Sequence, residues 1–243
     1  MCRLFALVSE RPKSPELPDL MTNFREQSKQ HSDGWGFGWY FDGAPQVEKS
    51  PTAAHADARF MTTCMNADSN IVLVHLRKLT VGTPTPDNTQ PFSYGDYIFG
   101  HNGTVHAKEE LRDLLPEEFR GRILGDTDSE QLFYWLLYHI DEKRSALKGI
   151  RSAVKYVKEN LGPETTAFNF VMSDGEKVYV YRSAYTKHDY YSLMYREREP
   201  TEKYPGRSVI VSSNRLGRGT WHPVENDQLL VVDNLLSIEK HQF

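Results

Sequence analysis

The sequence lacks the features that mark several large classes of protein. Two cysteines, Cys2 and Cys64, cannot supply a disulfide framework, so we expect a reducing cytoplasm and interpret Cys64 as a structural thiol. The apolar run 3–9 is too short for a signal-peptide core or a membrane span. The 29 lysines and arginines do not outnumber the 33 aspartates and glutamates, so the basic footprint of a nucleic-acid-binding protein is absent. We therefore expect a cytoplasmic protein with no membrane or nucleic-acid partner.

Local patterns predict strands near both ends of the chain and helices between them. The predicted strands are 3–9, 35–41, 71–76, 97–101, 167–172, 177–182, 209–212 and 228–232. A capping box of Thr127 and Glu130 begins a helix over 127–141, and an apolar stripe predicts another over 145–161. Weaker patterns predict helices at 19–29, 54–65 and 108–115, and the polar segment 185–207 is interpreted as a surface excursion. This order favours layered sheets covered by helices.

The second residue is the most informative one. Removal of the initiator Met1 would leave Cys2 at the amino terminus, with a thiol and a free α-amine on the same residue. An amine that titrates near ~8 can act as the base for its own thiol, whose pKa is near ~8.5. The arrangement is one of the known ways to activate a nucleophile. Cys2 is therefore the candidate nucleophile, and the apolar run that follows it is predicted to be a buried anchoring strand.

A glycine-rich segment over 34–38 has two open interpretations. Gly34, Gly36 and Gly38 alternate with aromatic residues, so one face of a strand there would carry no side chains. That bare face could receive a substrate, or it could allow another strand to pack closely. No helix follows, so the glycines do not form a dinucleotide-binding motif.

Four further positions could carry chemistry, each with a structural alternative. Arg77 follows an apolar strand and could bind a carboxylate, although most arginines are simply exposed. Asn102 and Gly103 are typical of a hairpin turn, but an Asn amide and a Gly N–H could also form an oxyanion hole. Asp128 opens a predicted helix, where the dipole explains it, and it could also bind an ammonium group. A zinc site among His31, Asp33, His75, His101 and His106 is not favoured, because their spacings do not match a known motif.

Together these residues resemble the class II glutamine amidotransferases, which are amino-terminal-nucleophile hydrolases. The resemblance rests on the order Cys2, Asp33-Gly34-Trp35-Gly36, His75-x-Arg77-x-x-Thr80-x-Gly82, Asn88-x-x-Pro91-Phe92, His101-Asn102-Gly103 and Thr127-Asp128-Ser129-Glu130. It implies an α+β fold, a four-layer αββα sandwich of two mainly antiparallel sheets, and a single domain over 2–243. It also implies that Cys2 is the nucleophile and that Asn102 and Gly103 form the oxyanion hole.

The same resemblance assigns the substrate-binding residues. Arg77 would hold the α-carboxylate of a glutamyl group and Asp128 its α-ammonium, while Thr80 and Gly82 would line the pocket. The substrate would be glutamine or a small γ-glutamyl compound. Neither a metal nor a cofactor is required by this chemistry.

Two departures separate this chain from the sugar-phosphate synthases of that family. The loop after Arg77 lacks the aromatic and histidine residues of their R-W-A-T-H-G pattern, and Gln90 stands where their N-x-H-P-F motif has histidine. The end of the chain at Phe243 also favours the stand-alone γ-glutamyl hydrolases. We therefore expect a hydrolase of γ-glutamyl amides. The alternatives are a glutaminase subunit that supplies ammonia to a separate synthase, and a non-catalytic protein that binds a glutamyl ligand.

Overall fold

The computed structural model describes residues 2–161 and 165–243. Met1, whose removal the sequence analysis expects, lies outside the described residues. The strands in chain order are β1 (Arg3–Ser9), β2 (Gly34–Phe41), β3 (Ala44–Ser50), β4 (Ile71–Arg77), β5 (Phe92–Tyr94), β6 (Tyr97–Val105), β7 (Thr165–Ser173), β8 (Lys177–Arg182), β9 (Met194–Arg198), β10 (Ser208–Ser212), β11 (His222–Pro223), β12 (Gln228–Asp233) and β13 (Ile238–Gln242). The α-helices are α1 (Leu17–Glu26), α2 (Arg59–Asn66), α3 (Lys108–Leu114), α4 (Glu117–Arg120), α5 (Asp128–Lys143) and α6 (Ala146–Tyr156), and short 3₁₀ or π segments cover 27–29, 54–56 and 157–161.

The strands form two antiparallel sheets. Sheet one has the order β11-β9-β10-β1-β4-β2-β3, and sheet two has the order β13-β12-β8-β7-β6-β5. Every strand pair described in either sheet is antiparallel.

Three apolar layers hold the sheets and helices together. On β1, Leu4, Ala6 and Val8 point towards sheet two and share a buried cluster with its residues, including Val171 and Val180. The alternate residues of β1 pack with α1 and α2 on the outer face of sheet one. Helices α3, α5 and α6 cover the outer face of sheet two. The predicted αββα sandwich is therefore confirmed, and its layering follows from the two-residue period of the strands.

The eight predicted strands are confirmed, with small extensions at their ends. Five others were not predicted: β3, β5, β9, β11 and β13. Most side chains of β3 and β13 are half-buried or exposed, so these strands can be polar. Their sequences therefore lack the hydrophobic alternation from which a strand is predicted. The interpretation of 185–207 as a surface excursion is wrong in part, because β9 joins sheet one and Tyr195 is buried there.

Helices are found where four of the five were predicted, although the ends of two of them, 27–29 and 157–161, are 3₁₀ or π segments. The predicted helix 54–65 is divided into a 3₁₀ segment over 54–56 and α2 (Arg59–Asn66), and α4 was not predicted.

The capping box of α5 differs in detail from the prediction. The Thr127 hydroxyl accepts a hydrogen bond from the Glu130 N–H at 3.3 Å, as expected of an N-cap. The Glu130 carboxylate does not return to Thr127; it accepts from the Leu124 and Gly125 N–H groups at 3.0 and 2.7 Å. It therefore holds the loop that leads into α5. Among the described residues, no helix is both long enough and apolar enough to cross a membrane.

Candidate active site

The layer between the sheets changes from apolar to polar at one end. Neighbouring strands place inward-facing residues in successive rows across sheet one: Gly38, Leu73 and Ala6; then Gly36, His75 and Leu4; then Gly34 and Arg77 beside Cys2. The first row belongs to the apolar core, whereas the last row carries a guanidinium and a thiol.

Strand β6 of sheet two runs along these rows. A Cβ atom placed on Gly38 would lie 2.5 Å from Ile98 Cγ2, and one on Gly100 would lie 3.1 Å from Leu4 Cδ2. Ile98 therefore faces the first row and Gly100 the second. The next residue on the same face, Asn102, falls level with the row of Cys2 and Arg77. Residues about 100 positions apart in sequence thus meet at the polar end of the sandwich.

The Cys2 thiol is half-buried and protonated in this environment. Its S–H donates to the Lys78 carbonyl at 3.7 Å. Burial raises the pKa of the Cys2 thiol, and the negative charge of Asp128 adds to this effect, while the Arg77 guanidinium opposes it. Cys2 therefore needs a base to become a thiolate at neutral pH.

Arg77 is buried and organises the loop that follows it. Its Nη1 and Nη2 atoms donate to the carbonyls of Thr83 and Val81, both at 3.0 Å. Gly82 lies in this loop with a φ of +76°, and a Cβ atom there would come within 2.6 Å of the Asp126 carboxylate, just before α5. Thr80 is exposed to solvent. The loop thus brings Arg77 and Gly82 to the start of α5, with Thr80 on its outer side.

Asn102 is fully buried, and neither its side-chain oxygen nor its nitrogen has a hydrogen-bond partner among the described residues. The hairpin interpretation of Asn102 and Gly103 is wrong, because both lie inside β6. A Cβ atom on Gly103 would lie 1.8 Å from the Ala167 carbonyl oxygen, so β7 requires glycine at this position. Buried amides almost always find partners, so an unpaired one needs an explanation.

One edge of β6 carries a further unpaired donor. The N–H groups of an antiparallel strand point alternately to its two neighbours, and β5 covers only the first part of this edge. Beyond it, Gln90 Oε1 accepts the His101 N–H at 2.5 Å, and Asp128 Oδ2 accepts the Val105 N–H at 2.8 Å. The Gly103 N–H lies between them, and no described side chain or loop accepts it. A backbone donor is therefore free at this edge, next to the Asn102 amide.

Asp128 sits at the first position of α5, and its side chain is buried at the end of β6. Its neighbour Ser129 hydrogen-bonds His101 Nδ1 at 2.9 Å, which ties the helix to the same strand. Asp128 is also close enough to Cys2 for its charge to act on the thiol. The structure therefore brings Cys2, Asn102 and Asp128 to one end of the sandwich.

The glycine-rich face of β2 serves sheet packing. A Cβ atom on Gly36 would lie 2.4 Å from the Gln90 carbonyl oxygen and 2.8 Å from Pro91, so no space remains there for a substrate. Of the two interpretations left open by the sequence, close packing is correct. This packing also positions Gln90 against β6.

Three of the histidines considered for a metal site, His31, His75 and His101, are buried. Burial lowers the pKa of His75 to about 3 and that of His31 to about 4, so both are neutral near pH 7. Within residues 2–161 and 165–243, no group of three or more His, Cys, Asp or Glu side chains could hold a metal ion.

Sequence reasoning missed the contact of Gln90 with β6 and the contact between Arg3 and Tyr190. The motif containing Gln90 was recognised, but its role as an acceptor for β6 could not be predicted from the motif. The Arg3 guanidinium lies 5.5 Å from the centre of the Tyr190 ring, and its Nη1 donates to the Cys2 backbone carbonyl at 3.3 Å. A cleft of about 720 Å³, lined by Tyr94, Tyr179 and residues of α4 and α5, is lined by none of the candidate site residues.

Comparison with known proteins supports a family assignment. The sequence profile of the glutamine amidotransferases class-II matches residues 1–234. An uncharacterized protein of Methanocaldococcus jannaschii is 27% identical over 96% of this chain and 70% of its own length. The gamma-glutamyl-hercynylcysteine sulfoxide hydrolase of Mycobacterium tuberculosis H37Rv is 31% identical, over 41% of this chain and 43% of its own length.

A solved structure extends the comparison to the whole fold. The glutamine aminotransferase class-II domain protein from Silicibacter pomeroyi superposes with a TM-score of 0.72 at 20% identity, covering 100% of this chain and 99% of that one. The profile match covers nearly all of the sequence, including every candidate site residue. The chain is therefore an enzyme that belongs to the class II glutamine amidotransferases.

Proposed function

We propose that this enzyme hydrolyses γ-glutamyl amide bonds through a thioester on Cys2, releasing glutamate and ammonia or an amine. The observation that carries the proposal is the unpaired, fully buried amide of Asn102 in the row of Cys2. An oxyanion that forms during the reaction would give this amide the partner that the described residues do not provide.

The nucleophilic step uses the amino terminus. Removal of Met1 gives Cys2 a free α-amine, which takes the thiol proton as Sγ attacks the γ-carbonyl carbon. Asn102 Nδ2 and the Gly103 N–H donate to the oxygen on which negative charge develops. The C–N bond then breaks, and the α-amine passes its proton to the leaving nitrogen. Water attacks the resulting thioester with the α-amine again as base, and glutamate departs as the thiol is restored.

Arg77 and Asp128 are assigned to the α-carboxylate and the α-ammonium of the glutamyl group, with Thr80 and Gly82 at the pocket wall. Arg77 is 4% exposed and Asp128 is 3% exposed. Neither forms an ion pair with any described residue. Buried charges are costly unless they are paired, so a zwitterionic ligand that pairs both supports this assignment.

The test is the intact mass of the purified protein before and after incubation with a glutamine-mimicking diazoketone, together with glutamate release from glutamine and from γ-glutamyl amides. We expect loss of Met1 and one adduct that maps to Cys2. The variant Cys2→Ala should lose both the adduct and turnover. Cys64→Ser is the matched control, because Cys64 is the other cysteine and is buried away from the site.

Near-normal glutamate release by Cys2→Ala would refute the mechanism. Turnover that stays low alone and rises when a synthase from the native host is added would favour the ammonia-supplying alternative. Complete loss of turnover in Cys2→Ala, with a fully active wild type, would eliminate the binding-only alternative.

A further inference from the structure

Asn88 is a buried amide between the two loops that lead to the residues assigned to the glutamyl head. It is 4% exposed, and both polar atoms of its side chain form hydrogen bonds. Nδ2 donates to the Thr83 carbonyl at 3.1 Å and to Asp126 Oδ1 at 2.6 Å. Oδ1 accepts the Asp126 N–H at 2.9 Å. One side chain therefore joins the loop after β4 to the loop before α5.

Each of these loops leads to one of the two assigned charges. The Thr83 carbonyl that accepts from Asn88 also accepts from Arg77 Nη1, at 3.0 Å. Asp126 lies two residues before Asp128, which begins α5. Arg77 and Asp128 belong to different layers of the sandwich, since β4 lies in sheet one and α5 covers sheet two. A chain of hydrogen bonds through Asn88 thus connects the two layers at this point.

Asn88 is held in place by the packing of its own segment on sheet one. The residues that follow it lie on the glycine-rich face of β2. A Cβ atom on Gly34 would lie 3.1 Å from Thr89 Cγ2. One on Gly36 would lie 2.4 Å from the Gln90 carbonyl oxygen. Close packing of this kind leaves the segment no space to shift, so the Asn88 amide is a fixed point for both loops.

The two loops approach this amide through glycines. A Cβ atom on Gly125 would lie 2.3 Å from Asn88 Oδ1, and one on Gly82 would lie 3.0 Å from Asn88 Nδ2. Neither loop could come as close with a side chain at these positions. The separation of the loops is therefore set by the size of the Asn88 side chain that lies between them.

The ligand head requires a fixed separation of its two partners. In an α-amino acid the carboxylate and the ammonium are bonded to one carbon atom. Both can therefore be bound together only if Arg77 and Asp128 are held at a matching distance. A ligand with one of these charges can bind its partner wherever that partner lies. Groups that are held at the required spacing before binding add affinity, because no ordering cost remains.

We propose that Asn88 is a positioning residue that fixes the distance between Arg77 and Asp128 and thereby selects ligands that carry both charges of an α-amino acid. This inference rests on the proposed function, which assigns the two charges to the glutamyl head. Loss of the amide should weaken the binding of a two-charge ligand far more than that of a one-charge ligand.

The experiment measures competitive inhibition by three ligands that differ only in the head group. L-Glutamate carries both charges, γ-aminobutyrate lacks the α-carboxylate, and glutarate lacks the α-amine. The assays are ammonia release from glutamine and p-nitroaniline release from γ-glutamyl-p-nitroanilide. We expect the processed wild type to bind L-glutamate at least about tenfold more tightly than the other two ligands, the usual effect of one hydrogen-bonded charge.

Asn88→Ala should raise the inhibition constant of L-glutamate about tenfold and those of the other two ligands by less than about twofold. KM should rise about tenfold while kcat stays within about threefold, because the head is bound equally in the ground state and the transition state. Asn70→Ala is the matched control. The half-buried Asn70 amide donates from Nδ2 to the Ser9 carbonyl at 2.8 Å, at the end of β1 opposite to Cys2. This variant should change none of the three inhibition constants.

Asp126 supplies a second pair of variants. Its side chain is exposed, so these variants should fold even if Asn88→Ala does not. Asp126→Ala removes an acceptor for Asn88 Nδ2 and should weaken L-glutamate selectively, about three- to tenfold. Asp126→Asn keeps an oxygen acceptor and should stay within about twofold of the wild type, because the hydrogen bond and not the charge of Asp126 is responsible.

Equal weakening of all three ligands by these variants would mean a general structural role and would overturn the inference. An unchanged inhibition constant for L-glutamate in Asn88→Ala or, if that variant does not fold, in Asp126→Ala would overturn it as well. So would a wild type that cleaves a substrate but binds the three ligands alike, and the proposed hydrolysis would stand. A wild type that cleaves neither substrate would instead overturn the proposed function and the inference with it.

Discussion

The pair Asn102 and Asn169 offers a sharp test of the oxyanion assignment. The two residues lie directly opposite each other on β6 and β7, and both are fully buried. The Asn169 side chain is satisfied, since Nδ2 donates to the Tyr191 carbonyl at 2.8 Å and Oδ1 accepts the Ser183 N–H at 3.0 Å. The Asn102 side chain has neither kind of partner among the described residues. The same substitution at the two sites should therefore have opposite consequences.

We expect Asn102→Ala to lower kcat by about 10²–10³, the usual loss for one oxyanion donor. Its free energy of unfolding should change by less than about 1 kcal/mol, because removal of an unpaired buried amide offsets the cost of the cavity. Asn169→Ala leaves the buried Ser183 N–H without its acceptor, at a cost of about 1–3 kcal/mol, and removes one of the donors to the Tyr191 carbonyl, which keeps the Arg182 Nε–H at 3.1 Å. The cavity terms are similar in the two variants and largely cancel in the comparison.

The assays are glutamate release under saturating substrate and urea unfolding of both variants beside the wild type. Activity of Asn102→Ala within a few-fold of the wild type would refute the oxyanion role. If Asn102→Ala were destabilised as much as Asn169→Ala, the amide would have a partner in the folded protein, and the geometric reasoning would be wrong.

Three other predictions follow from the same region. Gln90→Met removes the acceptor for the His101 N–H, so we expect kcat to fall about tenfold with little change in KM. Gln90→Glu keeps an acceptor and should retain most of the wild-type rate. In an Asn102→Ala background, Gln90→Met should cause no further fall in kcat, a result that a purely structural role of Gln90 would not produce. Burial lowers the pKa of His75 from 6.5 to about 3, so between these pH values the unfolded chain binds a proton that the folded chain does not. The free energy of unfolding should therefore fall as the pH drops below about 6.5, by up to ~1.4 kcal/mol per pH unit. A His75→Asn variant should show a weaker dependence of the urea midpoint on pH. Cys64 is 3% exposed and burial raises its pKa to about 12, whereas Cys2 is half-buried and gains its own α-amine as a base once Met1 is removed. Iodoacetamide at neutral pH should therefore label Cys2 and spare Cys64, and equal labelling by mass spectrometry would contradict the structure.

Much of the fold could be predicted because its central elements carry their own signals. The apolar alternation of β1 and the capping residue Thr127 of α5 are local features, and both elements begin where the sequence predicts. The edge strands β3 and β13 carry no such signal, since most of their side chains are half-buried or exposed and need not be apolar. Strand β9 was missed because its sequence is charged, and the buried Glu16 that binds its Arg196 and Arg198 comes from a distant loop.

The dipeptide Asn102-Gly103 shows how tertiary context overrides a local preference. Alone it is typical of a two-residue turn. In the fold it lies inside β6, where pairing with β7 holds it extended, and Gly103 is needed because the Ala167 carbonyl leaves no space for a side chain. The sheet therefore decides the conformation, and the same glycine that suggests a turn permits close strand packing.

The sequence by itself determined which chemical groups are present and in what order: a cysteine at position 2, Arg77 after an apolar strand, an Asn-Gly pair and a capped acidic helix start. These are local properties, so they can be identified from the amino-acid sequence without the fold. Only the tertiary structure decided that Asn102 falls level with Cys2 and that its amide has no partner among the described residues. Each of these depends on where strands that are distant in sequence cross, and on which donors and acceptors their neighbours have already used.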